Sequence, residues 1–341
     1  TLEIFMEVRA IVTAYLGLSP VKKAIFRKLL PNPRVVDTLL RAGSPFQKLL
    51  LKDEQNPQKT ACAPLLKSLF GDRHMPLLAE PLRSKVGKVD RPAGKSGLRV
   101  AFFPGCMGDK IYTGVSEACL KVFEHHGVGV FLSDNFACCG IPALVSGDRE
   151  GVEKMIEHNL GILSRTHFDY IVTPCSSCTM TIKEYWPEMS RNLPASVQET
   201  AKKFGAKAIV INAFLVDVLG VHPEGPAKGG LKVTYHESCH LKKSLGVSKQ
   251  PRELINMNKN CELVEMVEPD RCCGCGGSFT LTHYDISQQI GQKKRDSIVA
   301  TGADVVATGC PACMMQLSDM LARNGDRARV RHTIELYADT L

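Results

Sequence analysis

The sequence predicts an α/β protein: two tandem duplicated α/β units with mostly parallel sheets, preceded by a short helical basic arm and a linker. Three observations predict it. Five cysteines recur, since Cys106, Cys138, Cys139, Cys175 and Cys178 return as Cys239, Cys272, Cys273, Cys310 and Cys313 at offsets of 133, 134, 134, 135 and 135 residues. The flanking text returns with them: Arg99-Val-Ala-Phe-Phe-Pro-Gly-Cys106 matches Lys232-Val-Thr-Tyr-His-Glu-Ser-Cys239, and Asp169-Tyr-Ile-Val-Thr-Pro-Cys175 matches Ala303-Asp-Val-Val-Ala-Thr-Gly-Cys310. Each unit also alternates short apolar runs with helical periodicity, the pattern of a parallel sheet covered on both faces.

In chain order, 341 residues exceed what one core usually supports. We divide them into residues 1–96, an arm and linker; residues 97–228, the first cysteine-rich domain; and residues 229–341, the second. The arm reads as helices over residues 2–18, 20–30 and 35–42, broken at Pro20, Pro31, Pro33 and Pro45. From Lys52 to Gly97 the chain turns Pro-, Gly- and Lys-rich, a linker wrapped over the rest. The first domain opens with an apolar run at 98–103 before Cys106, followed by a helix whose Val115, Ala118, Cys119 and Val122 share a face. A second run at 128–132 leads to Cys138 and Cys139, and a longer helix follows Gly147. The run 170–172 ends at Cys175, and Cys178 opens the next helix. Every motif cysteine therefore falls just past the carboxyl end of a strand, where open α/β sheets hold ligands.

Composition narrows the function. With 44% hydrophobic and 23% charged residues the chain is neither disordered nor fibrous. The longest apolar run, 208–221, is interrupted by Asn212 and Asp217 and is too short to span a bilayer. The opening Thr1-Leu-Glu-Ile-Phe lacks an initiator Met and the pattern of a signal peptide, which suggests a fragment. Fourteen cysteines without a signal peptide suit a reducing, cytoplasmic compartment where thiols serve metals, with structural disulfides the weaker reading. Residues 1–100 carry 18 Lys/Arg against 8 Asp/Glu, a net +10 that leaves −2 for the remainder. Such an arm suits an acidic partner subunit or the inner face of the cell membrane, or it is a solvated basic surface; nucleic acid is not the partner expected.

The cysteine pattern is C-x31-C-C-x35-C-x-x-C, then C-x32-C-C-x36-C-x-x-C. Three segments per unit thus deliver soft thiolates to one point, which suits iron–sulfur clusters, zinc or Cu(I). Structural zinc and an ordinary cubane both need four ligands, so the fifth thiolate points to an unusual cluster or to a cysteine that exchanges. The expected ligands are all ten motif cysteines, holding two [4Fe-4S]-type clusters, with zinc at one site as the alternative. Gly140 and Gly274, directly after the Cys-Cys pairs, either aim backbone N–H groups at cluster sulfurs or simply make the turn. Cys119 and Cys261 read as core residues, Cys62 as an idle linker residue, and Cys275 as close enough to substitute for a ligand. His236, His240 and His283 stand near the second motif, where packing or a hydrogen bond to a ligand is the favoured reading over ligation. Motifs for hydrolysis or nucleotide chemistry are lacking.

At these motifs the sequence resembles the cysteine-rich CCG family, which includes the cysteine-rich subunit of heterodisulfide reductase and the iron–sulfur subunits of glycolate oxidase, lactate dehydrogenase and anaerobic glycerol-3-phosphate dehydrogenase. Tyr235-His-Glu-Ser-Cys-His240, Gln250-Pro-Arg-Glu-Leu254, Ala300-Thr-Gly-Ala-Asp-Val-Val-Ala-Thr-Gly309 and Val330-Arg-His-Thr-Ile-Glu-Leu336 resemble the carboxyl-terminal half of the glycolate oxidase and lactate dehydrogenase subunits. The resemblance implies an electron-transfer subunit that relays electrons from an FAD-binding partner oxidising a 2-hydroxy acid toward quinone or another carrier, and not an enzyme alone. It also implies a ferredoxin-like module, absent from this sequence, here or on another chain. Heterodisulfide reductase implies two alternatives to an ordinary relay: noncubane [4Fe-4S] clusters, and disulfide reduction by the chain itself. A zinc-binding scaffold is the third reading.

Overall fold

The computed structural model describes residues 2–50, 52–53, 56–58, 60–62, 73–225, 227 and 229–341. The arm begins as its prolines predict, with helices Leu2–Leu16 and Pro20–Ala24, the second widening into a π turn at Ile25–Leu29. The next helix, Pro33–Leu50, is longer than expected. Pro33 supplies a preset first-turn φ, and the helix runs through Pro45 at the cost of the one backbone hydrogen bond that proline cannot donate.

The linker carries structure that its composition hid. β1 (Lys52–Asp53), β2 (Thr60–Cys62) and β3 (His74–Pro76) form a small antiparallel sheet, helix Leu82–Val86 follows, and β4 (Val89–Arg91) ends the segment. Residues 63–72 and the side chain of Cys62 lie outside the described residues. The linker reaches both units. The His74 N–H donates to Asp319 Oδ1 at 2.9 Å and the Val330 N–H to Gln58 Oε1 at 3.2 Å, both in the second unit's territory. β4 instead joins the first unit's sheet, antiparallel to the strand Gly129–Leu132.

The duplication appears as two sheets of one topology. The first domain supplies β5 (Arg99–Phe102), β6 (Gly129–Leu132), β7 (Tyr170–Thr173) and β8 (Ala208–Val210), in the order β4-β6-β5-β7-β8 and parallel except at β4. The second supplies β9 (Leu231–His236), β10 (Cys261–Leu263), β11 (Val305–Thr308) and β12 (Arg329–His332), in the order β10-β9-β11-β12 and parallel throughout. β6 and β11 are buried along their whole length, which is why they read as unbroken apolar runs. In both sheets the order reverses between the first and third strands of the repeat, which opens a crevice at their carboxyl ends.

One apolar cluster runs through both units, joining Phe102, Phe103, Phe123, Trp186 and Phe214 to Ile298, Val306 and Leu317. The arm adds to it through the buried Phe26, beside which Arg27 pairs with the fully buried side chain of Asp148 at 2.8 Å. Part of the arm's positive charge is therefore neutralised inside the molecule. At the junction of the two units, His332 Nε2 donates to the carbonyl of Pro174 at 2.9 Å and Asn212 Nδ2 donates to Thr333 Oγ1 at 2.7 Å. His332 Nδ1 accepts the Ile334 N–H at 3.1 Å, so the ring is held neutral with both nitrogens used.

Burial lowers His332 from the usual 6.5 to about 4. A histidine whose folded-state value is depressed contributes its full stability above the unfolded value and loses it as pH falls toward the folded one. The unfolding free energy should therefore fall between pH 6.5 and about 4 with a component from this residue of about 1.4 kcal/mol per pH unit. Denaturant titrations of His332→Gln should show that component removed; an unchanged slope would contradict it.

Candidate metal centre

The first set of thiols is assembled by three strand ends. Cys106 lies in the short helix Gly105–Lys110 after β5, Cys138 and Cys139 in the loop after β6, and Cys175 and Cys178 at the start of the helix after β7. Cys106 and Cys138 are 3.8 Å apart at sulfur. Cys138 and Cys178, beside Cys139, hold that thiol well below the usual range although it is fully buried. Gly105, with φ +69°, is required by this packing, because a Cβ there would sit 2.8 Å from Cys178 Sγ.

Residues that the sequence reading passed over hold the first loop in place. Arg83, from the linker, pairs with Asp109 at 2.6 Å and donates to the carbonyls of Asp134 at 3.0 Å and Phe136 at 3.2 Å. It thus ties the helix carrying Cys106 to the loop carrying Cys138. Burial opposes the Asp109 charge, but Arg83 and Lys110 outweigh it and hold the carboxyl below its ordinary value. Asn159 accepts from the Ala137 N–H at 2.9 Å and donates to the Cys138 carbonyl at 3.0 Å, while Trp186 Nε1 donates to the Cys139 carbonyl at 2.8 Å. Leu30, Pro33 and Val36 of the arm line the narrow cleft above Cys106 and Cys138.

The second set repeats the plan in a more polar and open setting. Cys239 follows β9, Cys272 and Cys273 lie after β10, and Cys310 and Cys313 flank the start of helix Pro311–Arg323. Cys239 and Cys272 are exposed, whereas in the first set Cys106 is half-buried and the other four are buried. The loop to Cys272 is held by the buried Lys294, which donates to the carbonyls of Glu268 at 2.8 Å and Pro269 at 3.2 Å and is lowered by burial to about 8. Glu268 has φ 52°, the one non-glycine residue with a positive φ among the described residues, so strain is concentrated in this loop. Burial opposes the charge of Glu237, but Lys242, Ser248 and Arg252 hold its carboxyl down at about 2.

The two sets touch. Cys175 lies beside both Cys178 and Cys310, and Cys313 lies beside Cys310 and Cys273. With Cys106 3.8 Å from Cys138 at sulfur and the adjacent pairs Cys138–Cys139 and Cys272–Cys273, nine of the ten motif cysteines are neighbours in one series. Cys239 stands beside it, its thiol raised by burial and by Cys273 and Cys310. Ser177 Oγ lies 3.7 Å from Cys310 Sγ and 2.8 Å from His240 Nδ1, adding a polar link across the junction.

The donor set fits iron–sulfur clusters. Thiols bind metals as thiolates, and several thiolates cannot share one buried pocket unless a cation balances them. Cys175 and Cys310 each cap a helix N-terminus, where the dipole favours negative charge. Gly140 and Gly274 take the equivalent left-handed turn, at φ 100° and 89°, and the Gly274 N–H points to Cys272 Sγ at 3.4 Å. The Gly140 N–H likewise lowers Cys138, so at both positions one geometry serves turn and sulfur contact together.

Other expected residues separate. Cys119 and Cys261 are buried in the core. Cys275 is buried at the edge of the second set, its thiol pushed up by burial and by Cys273. His283 stacks on Phe279 and hydrogen-bonds Thr282, away from the sulfurs. His236 comes into the set, with a ring nitrogen and the sulfurs of Cys273 and Cys313 all within 4.8 Å of one another. The signal for it was in the repeat: His236 stands where the first unit has Phe103.

Comparison with known proteins agrees with this layout. A family model for the cysteine-rich domain CCG matches residues 100–183 and 233–318. Lactate utilization protein A of an Exiguobacterium species is 33% identical over 70% of this chain and 96% of its own length. A subunit of the CoM/CoB fumarate reductase of Methanothermobacter marburgensis is 31% identical over 76% of this chain, which spans 51% of that protein. An uncharacterized iron-sulfur protein of Methanococcus maripaludis is 33% identical over 66% of this chain and 42% of its own length. Among solved structures, a hypothetical protein from Helicobacter pylori shares the fold at a TM-score of 0.51, covering 80% of this chain and 52% of its own, with 12% identity.

Arg83→Ala should lower the unfolding free energy by about 1–3 kcal/mol, because it leaves buried Asp109 to Lys110 alone and removes the donor to the Asp134 and Phe136 carbonyls, and should reduce metal uptake at the first set. Lys85→Ala, which removes only an exposed pair with Glu117, should cost about 1 kcal/mol or less. Equal losses in urea denaturation would contradict this account of the loop.

Proposed function

The chain belongs to the CCG cysteine-rich domain family, and on that premise we propose that it is the iron–sulfur electron-transfer subunit of a flavin-linked 2-hydroxyacid dehydrogenase complex. The observation that carries this reading is the junction of the two thiol sets, where Ser177, between Cys175 and Cys178, places its Oγ 3.7 Å from Cys310 Sγ. Two redox centres built on those residues would be neighbours. Bound clusters of the [4Fe-4S] type would supply one-electron storage and transfer. The chain's own residues do the rest: ten cysteines hold the clusters, Gly140 and Gly274 aim N–H groups at sulfur, and the arm shields the first site from water.

The 2-hydroxy acid follows from the relative named for lactate utilization and from the resemblance at the carboxyl-terminal motifs. The flavin subunit and a ferredoxin-like module or subunit are the partners proposed. The amino-terminal helix supports docking to such a partner or to the inner face of the cell membrane, since Ile4, Phe5, Val8, Ile11, Tyr15 and Leu16 are exposed on it. No single described helix is long and apolar enough to cross a membrane; the bent pair Ile4–Leu16 and Pro20–Leu29, meeting at 114°, passes by length and composition only.

A second reading, reduction of a disulfide by the chain itself, is favoured by exposed Cys239 and Cys272 and by the relative named for a CoM/CoB fumarate reductase. Turnover of a disulfide by the isolated, reduced chain would support it.

Anaerobic reconstitution of the full chain should yield about eight irons with matching sulfide and visible absorption. Fewer than about three irons per chain would defeat the two-cluster proposal, and stoichiometric zinc without visible absorption would replace it with the scaffold reading.

A further inference from the structure

The two sites repeat in their cysteines but not in the residue three positions before Cys106 and Cys239. In the first unit that residue is Phe103, fully buried, with its ring 5.2 Å from Phe136 and 6.2 Å from Trp186. In the second it is His236, the last residue of β9, in register with Thr308 of β11. The topology gives both side chains the same place beside the sulfurs. Only one of them has a nitrogen to offer.

His236 is 1% exposed, and neither ring nitrogen has a hydrogen-bond partner. Leaving a buried polar group unpaired costs about 1–3 kcal/mol, so a histidine kept here needs an interaction that protein atoms do not provide. His332 shows that this fold can bury a histidine without that cost, since both its nitrogens are used. His236 instead leans on Cys273, helping to lower that thiol after Cys272 and Cys313, without completing a hydrogen bond of normal geometry. Its ring nitrogen and the sulfurs of Cys273 and Cys313, all buried, lie within 4.8 Å of one another, a spacing that one metal ion can bridge.

We propose that His236 supplies an imidazole nitrogen as a metal ligand at the second site, so that the duplicated sites differ in donor set: thiolate alone in the first, thiolate and imidazole in the second. This rests on the reading of both sites as iron–sulfur centres. Five thiolates already surround the second site, so the imidazole takes the place of one of them at the metal and leaves an exposed thiol, Cys239 or Cys272, available for exchange. An imidazole in place of a thiolate also removes one negative charge from the coordination shell, which raises the reduction potential. The second centre is then the electron acceptor of the pair.

The test uses the reconstituted full chain carrying Cys139→Ser and Cys178→Ser, which leave the first site three thiolates, one short of a cubane, with and without 15N-histidine. Pulsed EPR of the reduced protein should show a directly coordinated 14N coupling that changes with the label. It should vanish in His236→Phe, a substitution that the first unit shows the fold accommodates, while second-site iron is kept by the remaining thiolates. His236→Cys should likewise keep iron and shift the potential downward. A histidine coupling that persists in His236→Phe, or no such coupling in iron-loaded protein with His236 intact, overturns the assignment. Failure of the second site to take up iron with His236 intact would instead overturn the reading on which it rests, and the two failures are distinguished by iron content.

Discussion

The meeting of two strand ends, at Cys175 and Cys310, is the constraint that the rest of the structure serves. Each residue closes the third strand of its repeat and caps the helix that follows. Bringing them together places two crevices of the same topology against each other. The cross-unit bonds from His332 to Pro174 and from Asn212 to Thr333 hold that junction, and one apolar core continues through it. A duplicated domain whose copies were joined elsewhere would carry the same ten cysteines as two remote sites.

Within that frame the copies have diverged in surroundings. The first site is packed by Phe103, Trp186 and the arm, and its loops are tied by Arg83 and Asn159. The second is bordered by charge, with Glu237 bound by Lys242 and Arg252 and with Lys294 buried under the loop to Cys272. A low dielectric and excluded water favour rapid electron exchange without protons, whereas polar groups and exposed thiols favour chemistry at the surface. The duplication therefore supplies one sheltered and one more accessible set of cysteines from a single plan.

Much of this was legible in the residues. The offsets of the ten cysteines gave the repeat, and the apolar runs before Cys106, Cys138 and Cys175 placed them at strand ends, where the structure has them. What escaped was short or non-periodic. β4 and the sheet of β1 to β3 are strands of two or three residues in proline- and glycine-rich text, too brief to show alternation. Pro45 suggested a helix end, yet a single lost hydrogen bond does not outweigh a helix that continues on both sides. Arg83 looked like one more charge in a basic linker, because its partners Asp109 and Phe136 are brought to it only by tertiary structure. His236 was visible as a neighbour of the motif but not as a member of it; only its burial without partners separates it from a packed histidine.

The claim on which the account turns is that the two centres adjoin through Cys175 and Cys310. Continuous-wave and pulsed EPR of the fully reduced, reconstituted chain measures this directly. The account predicts spectra split and broadened by spin coupling between two clusters, simplifying to one uncoupled signal when Cys139→Ser with Cys178→Ser empties the first site. Two full-intensity signals in the unsubstituted chain with no mutual broadening, the surviving one unchanged in shape by those substitutions, would show the centres to be apart and would contradict it.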